Sequence, residues 1–138
     1  MATSGLSVPR TVVARATLAG VLLMALAGGA WAMHSMVAQS GVATPCGCNY
    51  WRVDMQGKEW PISIQYTSKP AHGTVRTVTT VEPRTLRNGK SMNVHVTEMV
   101  YQSKKGFVGE DSFTYHRITG DPNDPNNGKE YTIAVTVR

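Results

Sequence analysis

The chain predicts an all-β fold, an antiparallel β-sandwich, and three observations carry that expectation. Beyond Asn49 apolar and polar residues alternate with period two. Turn-forming residues break the alternating runs at short intervals. No stretch after residue 33 sustains a helical period. Alternation of this kind marks strands that bury one face and leave the other in water.

The elements follow in order. Trp60-Pro61 leads into Ile62, Ile64 and Tyr66 on one face, with Ser63, Gln65 and Thr67 opposite. Met92, Val94 and Val96 share a face against Asn93, His95 and Thr97. Phe113 and Tyr115 alternate with Ser112 and Thr114. The last strand is the cleanest, with Tyr131, Ile133, Val135 and Val137 on one side and Thr132, Ala134 and Thr136 on the other. Between Val96 and Met99 the phase slips, and Met99 and Tyr101 become the apolar set. A single-residue step flips side chains to the other face, so the spacing predicts a β-bulge there, or a bend that lets the strand serve both sheets. Turns are expected at Lys69-Pro70, Asn88-Gly89, Lys105-Gly106 and across Gly120–Gly128, with Asn88-Gly89 suited to the left-handed angles of a tight hairpin. Six or seven such strands fit two packed sheets.

The front of the chain reads differently. Arg10 and Arg15 precede an uncharged run from Ala16 to Met33, and Ala30-Trp31-Ala32 places small residues at −3 and −1 of a cleavage point. That is the pattern of a signal peptide over residues 1–32. The rival is a retained anchor, which needs about 20 apolar residues; this run reaches that length only with three glycines and a Trp-Ala-Met tail. No Cys ends the apolar run, so lipoprotein processing is not indicated. Removing residues 1–32 from the 138 leaves 106, enough for one domain. Lys+Arg then falls from 14 to 12 against 9 acids, and the formal charge from +5 to +3. The basic residues are spread from Arg52 to Arg138, with only Lys104-Lys105 adjacent, which argues against a nucleic-acid surface. Residues 33–48, MHSMVAQSGVATPCGC, show no period and read as a short flexible leader. Residues 49–138 form the expected domain.

Within that domain, Pro70-Ala71-His72-Gly73-Thr74-Val75, a strand ending Val100-Tyr101, Gly106-Phe107-Val108-Gly109-Glu110-Asp111-Ser112-Phe113-Thr114-Tyr115 and a closing Tyr131–Val137 strand stand in one order. This text resembles the bacterial Ig-like or cadherin-like repeat family of surface and secreted proteins, over roughly residues 60–138. Two departures are Tyr101-Gln102-Ser103, where the family commonly has Tyr-x-Pro, and a long, proline-rich loop before the last strand. The resemblance implies an immunoglobulin-like sandwich used as a spacer, adhesion or interaction unit, and implies no activity. The motif also has a direct physical reading. Gly106 and Gly109 permit angles that let Phe107 turn back towards the core, and Asp111 can accept bonds from loop amides.

Candidate sites are few. Cys46-Gly47-Cys48 is the most unusual feature. A bridge there closes a three-residue loop and contributes about 1.6 kcal/mol, against about 3 kcal/mol for a 15-residue loop, so it makes a poor staple. A strained local disulfide, disulfides to a partner chain, soft-metal ligation and plain thiols all remain open. A redox enzyme usually needs two intervening residues and a helix under the first thiol. Met33, His34 and Met36 add thioether and imidazole donors, so Cys46, Cys48, Met33 and His34 form a conceivable copper set. Asp121, Asn123 and Asp124 concentrate oxygen donors suited to calcium, but Asp, Asn, Pro and Gly are also the ordinary vocabulary of turns. His72 reads as a turn residue, and His95 and His116 fall opposite the core. Glu98, Glu110 and Asp111 form no paired-carboxylate motif, and Trp51 and Trp60 read as packing residues.

No catalytic residue and no cofactor is indicated. The sequence is read as an exported, periplasmic or secreted, non-enzymatic binding or structural module, either an accessory subunit or an interaction domain. Its expected partner is another exported or membrane-associated protein. The membrane itself enters only if the N-terminal segment is retained. The alternatives are a copper-binding carrier using the Met/His/Cys leader and a small periplasmic enzyme.

Overall fold

The computed structural model describes residues 32–138. The signal peptide expected over residues 1–32 therefore lies outside the described residues, apart from Ala32. Among the described residues every regular element is a strand, and no helix is long and apolar enough to cross a membrane. The strands are β1 (Ala32–Ala38), β2 (Thr44–Pro45), β3 (Ile62–Ser68), β4 (Gly73–Thr85), β5 (Ser91–Ser103), β6 (Gly109–Thr119) and β7 (Glu130–Val137). They form two sheets, in the orders β1-β7-β6-β3 and β2-β5-β4. The result is the expected all-β, two-layer sandwich.

The core lies where the alternation places it. Phe113 and Tyr115 from β6, and Ile133, Val135 and Val137 from β7, are buried on the inner face of the first sheet. Met99 and Tyr101 of β5 meet them from the second sheet. Tyr101 lies parallel to Phe113 with ring centroids 6.4 Å apart, and Tyr66 meets Phe113 edge-on at 6.2 Å. Phe113 is thus the ring on which both sheets converge.

Three expectations are corrected. First, residues 33–48 are not a flexible leader, for they contain β1 and β2. Strand β1 lies parallel to β7, from Ala32 opposite Tyr131 to Ala38 opposite Val137, so the first sheet is mixed. The chain then crosses to the other sheet, where Thr44 and Pro45 pair with Tyr101 and Val100. This segment shows no period because its inward contribution is small: Met36 is half-buried and Ala38 buried, while Val37 is exposed.

Second, the phase change in β5 needs no extra residue against β4. The pairing runs without interruption from Gly73 opposite Ser103 to Thr85 opposite Ser91. Strand β5 buries opposite faces along its length, Val94 and Val96 on one side, then Thr97, Met99, Tyr101 and Ser103 on the other. Nor does the strand pass between sheets, for β5 belongs to the second sheet alone. The irregularity sits on the other edge of β5. There the Cys46 amide donates to Met99, while Tyr50 exchanges bonds with Thr97. Four steps along one chain match two along the other, so Gly47-Cys48-Asn49 forms a bulge. Gly47 has φ 74°, the left-handed region that a bulge of this kind requires.

Third, in the β4–β5 turn only Gly89 takes positive φ, at 80°, and Asn88 does not. The Gly89 amide donates to Leu86 and the Leu86 amide to Lys90. This is a three-residue loop closed by a left-handed glycine.

Because Phe113 is fully buried at the junction of both sheets, Phe113→Ala is expected to cost about 3–5 kcal/mol. The check is the urea midpoint of the purified variant; an unchanged midpoint contradicts the placement of this ring.

Candidate functional site

The best-defined polar centre is Asp111, at the start of β6. Its carboxylate accepts the Ala71 amide at 2.9 Å, the His72 amide at 3.0 Å and the Ser112 amide at 2.9 Å. It also accepts the Tyr101 hydroxyl at 2.8 Å. Burial opposes its charge, yet the Tyr101 hydroxyl and the amides of Ser112, His72 and Ala71 outweigh it and hold the carboxyl below its ordinary range. The same burial, reinforced by the carboxylate, pushes the Tyr101 phenol up. The expected bonds from loop amides are present, but two come from the crossover between β3 and β4. His72 is exposed and stacks on Phe107 at 4.1 Å, so the ring serves the turn. Asp111 is structural.

Cys46 precedes the bulge and Cys48 sits within it. Cys46 and Cys48 are free, half-buried and packed against the core cluster. Beside them Tyr50 and Tyr115 share a hydroxyl bond of 2.6 Å, and Tyr131 stacks on Tyr115 at 5.5 Å. Burial, and then the neighbouring Cys48, push the Cys46 thiol up to about 12. Burial likewise raises the Tyr50 phenol to about 12. His34 lies exposed on β1, in the other sheet. Among the described residues no group of three or more His, Cys, Asp or Glu side chains converges to hold a metal. Of the copper set, Met33 and His34 belong to β1 in the first sheet, whereas Cys46 and Cys48 follow β2 of the second.

In the loop between β6 and β7, Asp121 and Asp124 are buried and turned to arginines. Arg52 Nε meets Asp121 at 2.6 Å, and Arg117 Nη2 meets Asp124 at 2.7 Å. Asp121 also caps the Asn123 amide, and Asp124 the Asn126 amide. Arg117 lies over the Tyr50 ring at 5.5 Å, which engages the part of its guanidinium that finds no hydrogen-bond acceptor. The oxygens suggested for calcium are thus engaged in ion pairs and turn amides, while Asn123 itself is exposed.

Most of the remaining titratable candidates are engaged as well. His95 and its amide bond Glu59, His116 meets Glu130 at 2.9 Å, and Glu110 accepts from Thr136. Glu98 is half-buried on β5. A groove of about 550 Å³ lies between the Val53–Glu59 turn and the β4–β5 tip, lined by Trp51, Val53, Met55 and Leu86. Two of its polar residues are committed: Arg52 is paired, and Asp54 holds the Trp60 Nε1 and two amides.

One feature offers unused bonding groups in series, the outer edge of β4. His72 accepts the Lys104 amide, and the Leu86 amide donates to Lys90. Both pairs fall in the β4–β5 register, so even-numbered β4 residues bond β5 and odd-numbered ones point outward. Val75, Thr77, Thr79 and Val81 thus direct their N–H and C=O groups away from β5, and among the described residues no strand pairs with them. Pro83, which has no N–H, falls in the outward set, where the ladder loses nothing. Thr77, Thr79 and Val81 are exposed. The edge of β3, by contrast, is bulged between Tyr66 and Ser68, β2 has two residues, and β1 seven against the thirteen of β4. This strand is poorly marked in the sequence because five of its thirteen residues are exposed threonines and its valines fall every third residue rather than every second. Its signals were the β-branched run Thr74–Val81 and the proline that only an edge tolerates.

No protein-family model and no curated protein sequence matches the chain. Among solved structures it is similar to a cysteine protease inhibitor, EhICP2, from Entamoeba histolytica. The two share 11% identity with a TM-score of 0.34, over 80% of this chain and 100% of that one. The class that fold and geometry define is a two-sheet β-sandwich with one long unpaired edge.

Two outcomes are expected. A carboxyl whose folded value lies below its unfolded value stabilises the fold above the unfolded value, about 4, and loses that contribution as pH falls through the folded one. Asp111→Asn should therefore flatten the fall in stability on acidification from about pH 5 to 2, measured by urea melts; an unaltered slope contradicts the bonding described. In the reduced native protein, Cys46 should resist iodoacetamide at pH 8 and react readily once denatured, since little thiolate is present. Mass mapping that shows rapid native alkylation of Cys46 contradicts its burial.

Proposed function

We propose that this chain is an exported, non-enzymatic interaction module with an immunoglobulin-like sandwich, and that it binds through the outer edge of β4. The observation that carries the reading is the run of outward backbone groups on Val75, Thr77, Thr79 and Val81. An unpaired edge of this length is a ready template for another strand, and proteins that leave one open commonly use it for strand addition. The uncharged run before Met33 supports export to the periplasm or beyond. The Pro70–Val75 and Gly106–Tyr115 text supports kinship with the Ig-like or cadherin-like repeats. The engagement of Asp111, Asp121, Asp124, Glu59 and Glu130 in internal bonds supports a binding role over a catalytic one.

Thr79→Pro tests the reading, because the Thr79 N–H points away from β5 and its loss leaves the hairpin ladder intact. Cross-linking mass spectrometry on the full chain in its native extract should place contacts on β4 in the wild type. Those contacts should be lost in a folded Thr79→Pro variant. Contacts that survive the substitution, or that cluster on β3 or the β4–β5 tip, contradict the edge as the binding element.

A further inference from the structure

Resting on the edge reading above, we propose that β4 pairs antiparallel with β4 of a second copy of this chain, the two-fold axis passing beside Thr79. The second sheets of the two copies, each β2-β5-β4, then join into one six-stranded sheet. In an antiparallel pair, residues that exchange both backbone bonds must have outward amides, so odd residues meet odd residues. With Thr79 opposite its copy, Thr77 meets Val81 and Val75 meets Pro83. The ladder ends where proline has no N–H to give.

The charges select this register. The intervening even positions are those where cross-strand side chains come closest. There Arg76 meets the Glu82 of the copy, and by symmetry Glu82 meets the Arg76 of the copy. Arg76 is exposed and makes no ion pair or hydrogen bond among the described residues. Glu82 is already oriented, by Arg84 at 2.7 Å and by the Thr80 hydroxyl at 2.9 Å. Moving the axis one residue on, to position 80, sets Arg76 against Arg84. Moving it one residue back, to position 78, leaves Arg76 against Thr80 and Glu82 against Thr74. Of these three registers, only the axis at Thr79 sets opposite charges face to face.

The strand is therefore complementary to itself, with opposite charges three residues either side of an uncharged centre, Thr77-Val78-Thr79-Thr80-Val81. An isologous contact between two copies requires that symmetry, whereas a foreign strand does not. The β-branched side chains at the centre suit cross-strand packing, and Val81, 60% exposed, gains cover from Thr77 of the copy.

Sedimentation velocity of the purified full chain, with Arg76→Glu, Glu82→Arg and the double variant, tests the proposal. The wild type is expected to show a concentration-dependent dimer. Arg76→Glu, which sets two like-charge pairs face to face, should weaken it by about tenfold or more, and the double variant should return to within about threefold of wild type. Arg76 makes no internal bond, so its variant should keep the wild-type melting curve, separating lost association from lost folding. The proposal is overturned by a wild type that stays monomeric, by a dimer indifferent to Arg76→Glu, or by a double variant as weak as the singles. A monomeric wild type leaves the edge reading itself to the Thr79→Pro cross-linking result, so the two fail separately. Association of β4 with a different chain alone also overturns self-pairing.

Discussion

The carboxylate of Asp111 is the constraint on which the rest of this sandwich depends. It belongs to β6 in the first sheet, yet it accepts the hydroxyl of Tyr101 from β5 in the second. It also holds the Ala71 and His72 amides, where the chain leaves β3 and enters β4. A single buried anion thus ties both layers and the crossover between them. The buried Tyr101 hydroxyl would be costly to leave without an acceptor. The crossover that Asp111 fixes sets the point at which β4 begins, and with it which β4 residues face β5 and which face outward.

The second organising fact is the unequal treatment of edges. On one side of β5 the chain is interrupted, because Gly47-Cys48-Asn49 bulges away and pairing resumes only at Tyr50. On the other side β4 runs for thirteen residues without a break. Bulges, short strands and proline are the usual ways of blunting an edge. Here β2 is short and β3 bulged, while on β4 Pro83 leaves the stretch from Val75 to Val81 open. That asymmetry gives the molecule a direction for association. The polar residues elsewhere look inward: Asp121 and Asp124 to arginines, Glu59 and Glu130 to histidines.

Much of the architecture was legible because the relevant physics is local. Tyr131 to Val137 alternates cleanly, since β7 has one face on the core and one outside it. Phe113 and Tyr115 fall on the same inner face for the same reason. The phase change near Val96 was also legible, although its cause was not. A strand that buries Val94 and Val96 on one face and Met99 and Tyr101 on the other looks, from the text alone, like a strand with an inserted residue. Strand β1 was hidden because its inward residues are Met36 and a small Ala38, and its partner β7 lies at the far end of the chain. The fate of Asp121 depended on Arg52, 69 residues away, and no local pattern announces such a pair. Which strand lies at an edge is likewise a matter of topology, and Pro83 was its single local mark.

Amide hydrogen exchange along β4, read residue by residue in dilute protein, distinguishes an open edge from a covered one. An open edge requires slow exchange at Thr74, Arg76, Val78 and Thr80, whose N–H groups bond β5, and fast exchange at Val75, Thr77, Thr79 and Val81. Uniform protection along the strand at every dilution would mean that the outer groups are already bonded within one chain, and would contradict an open edge.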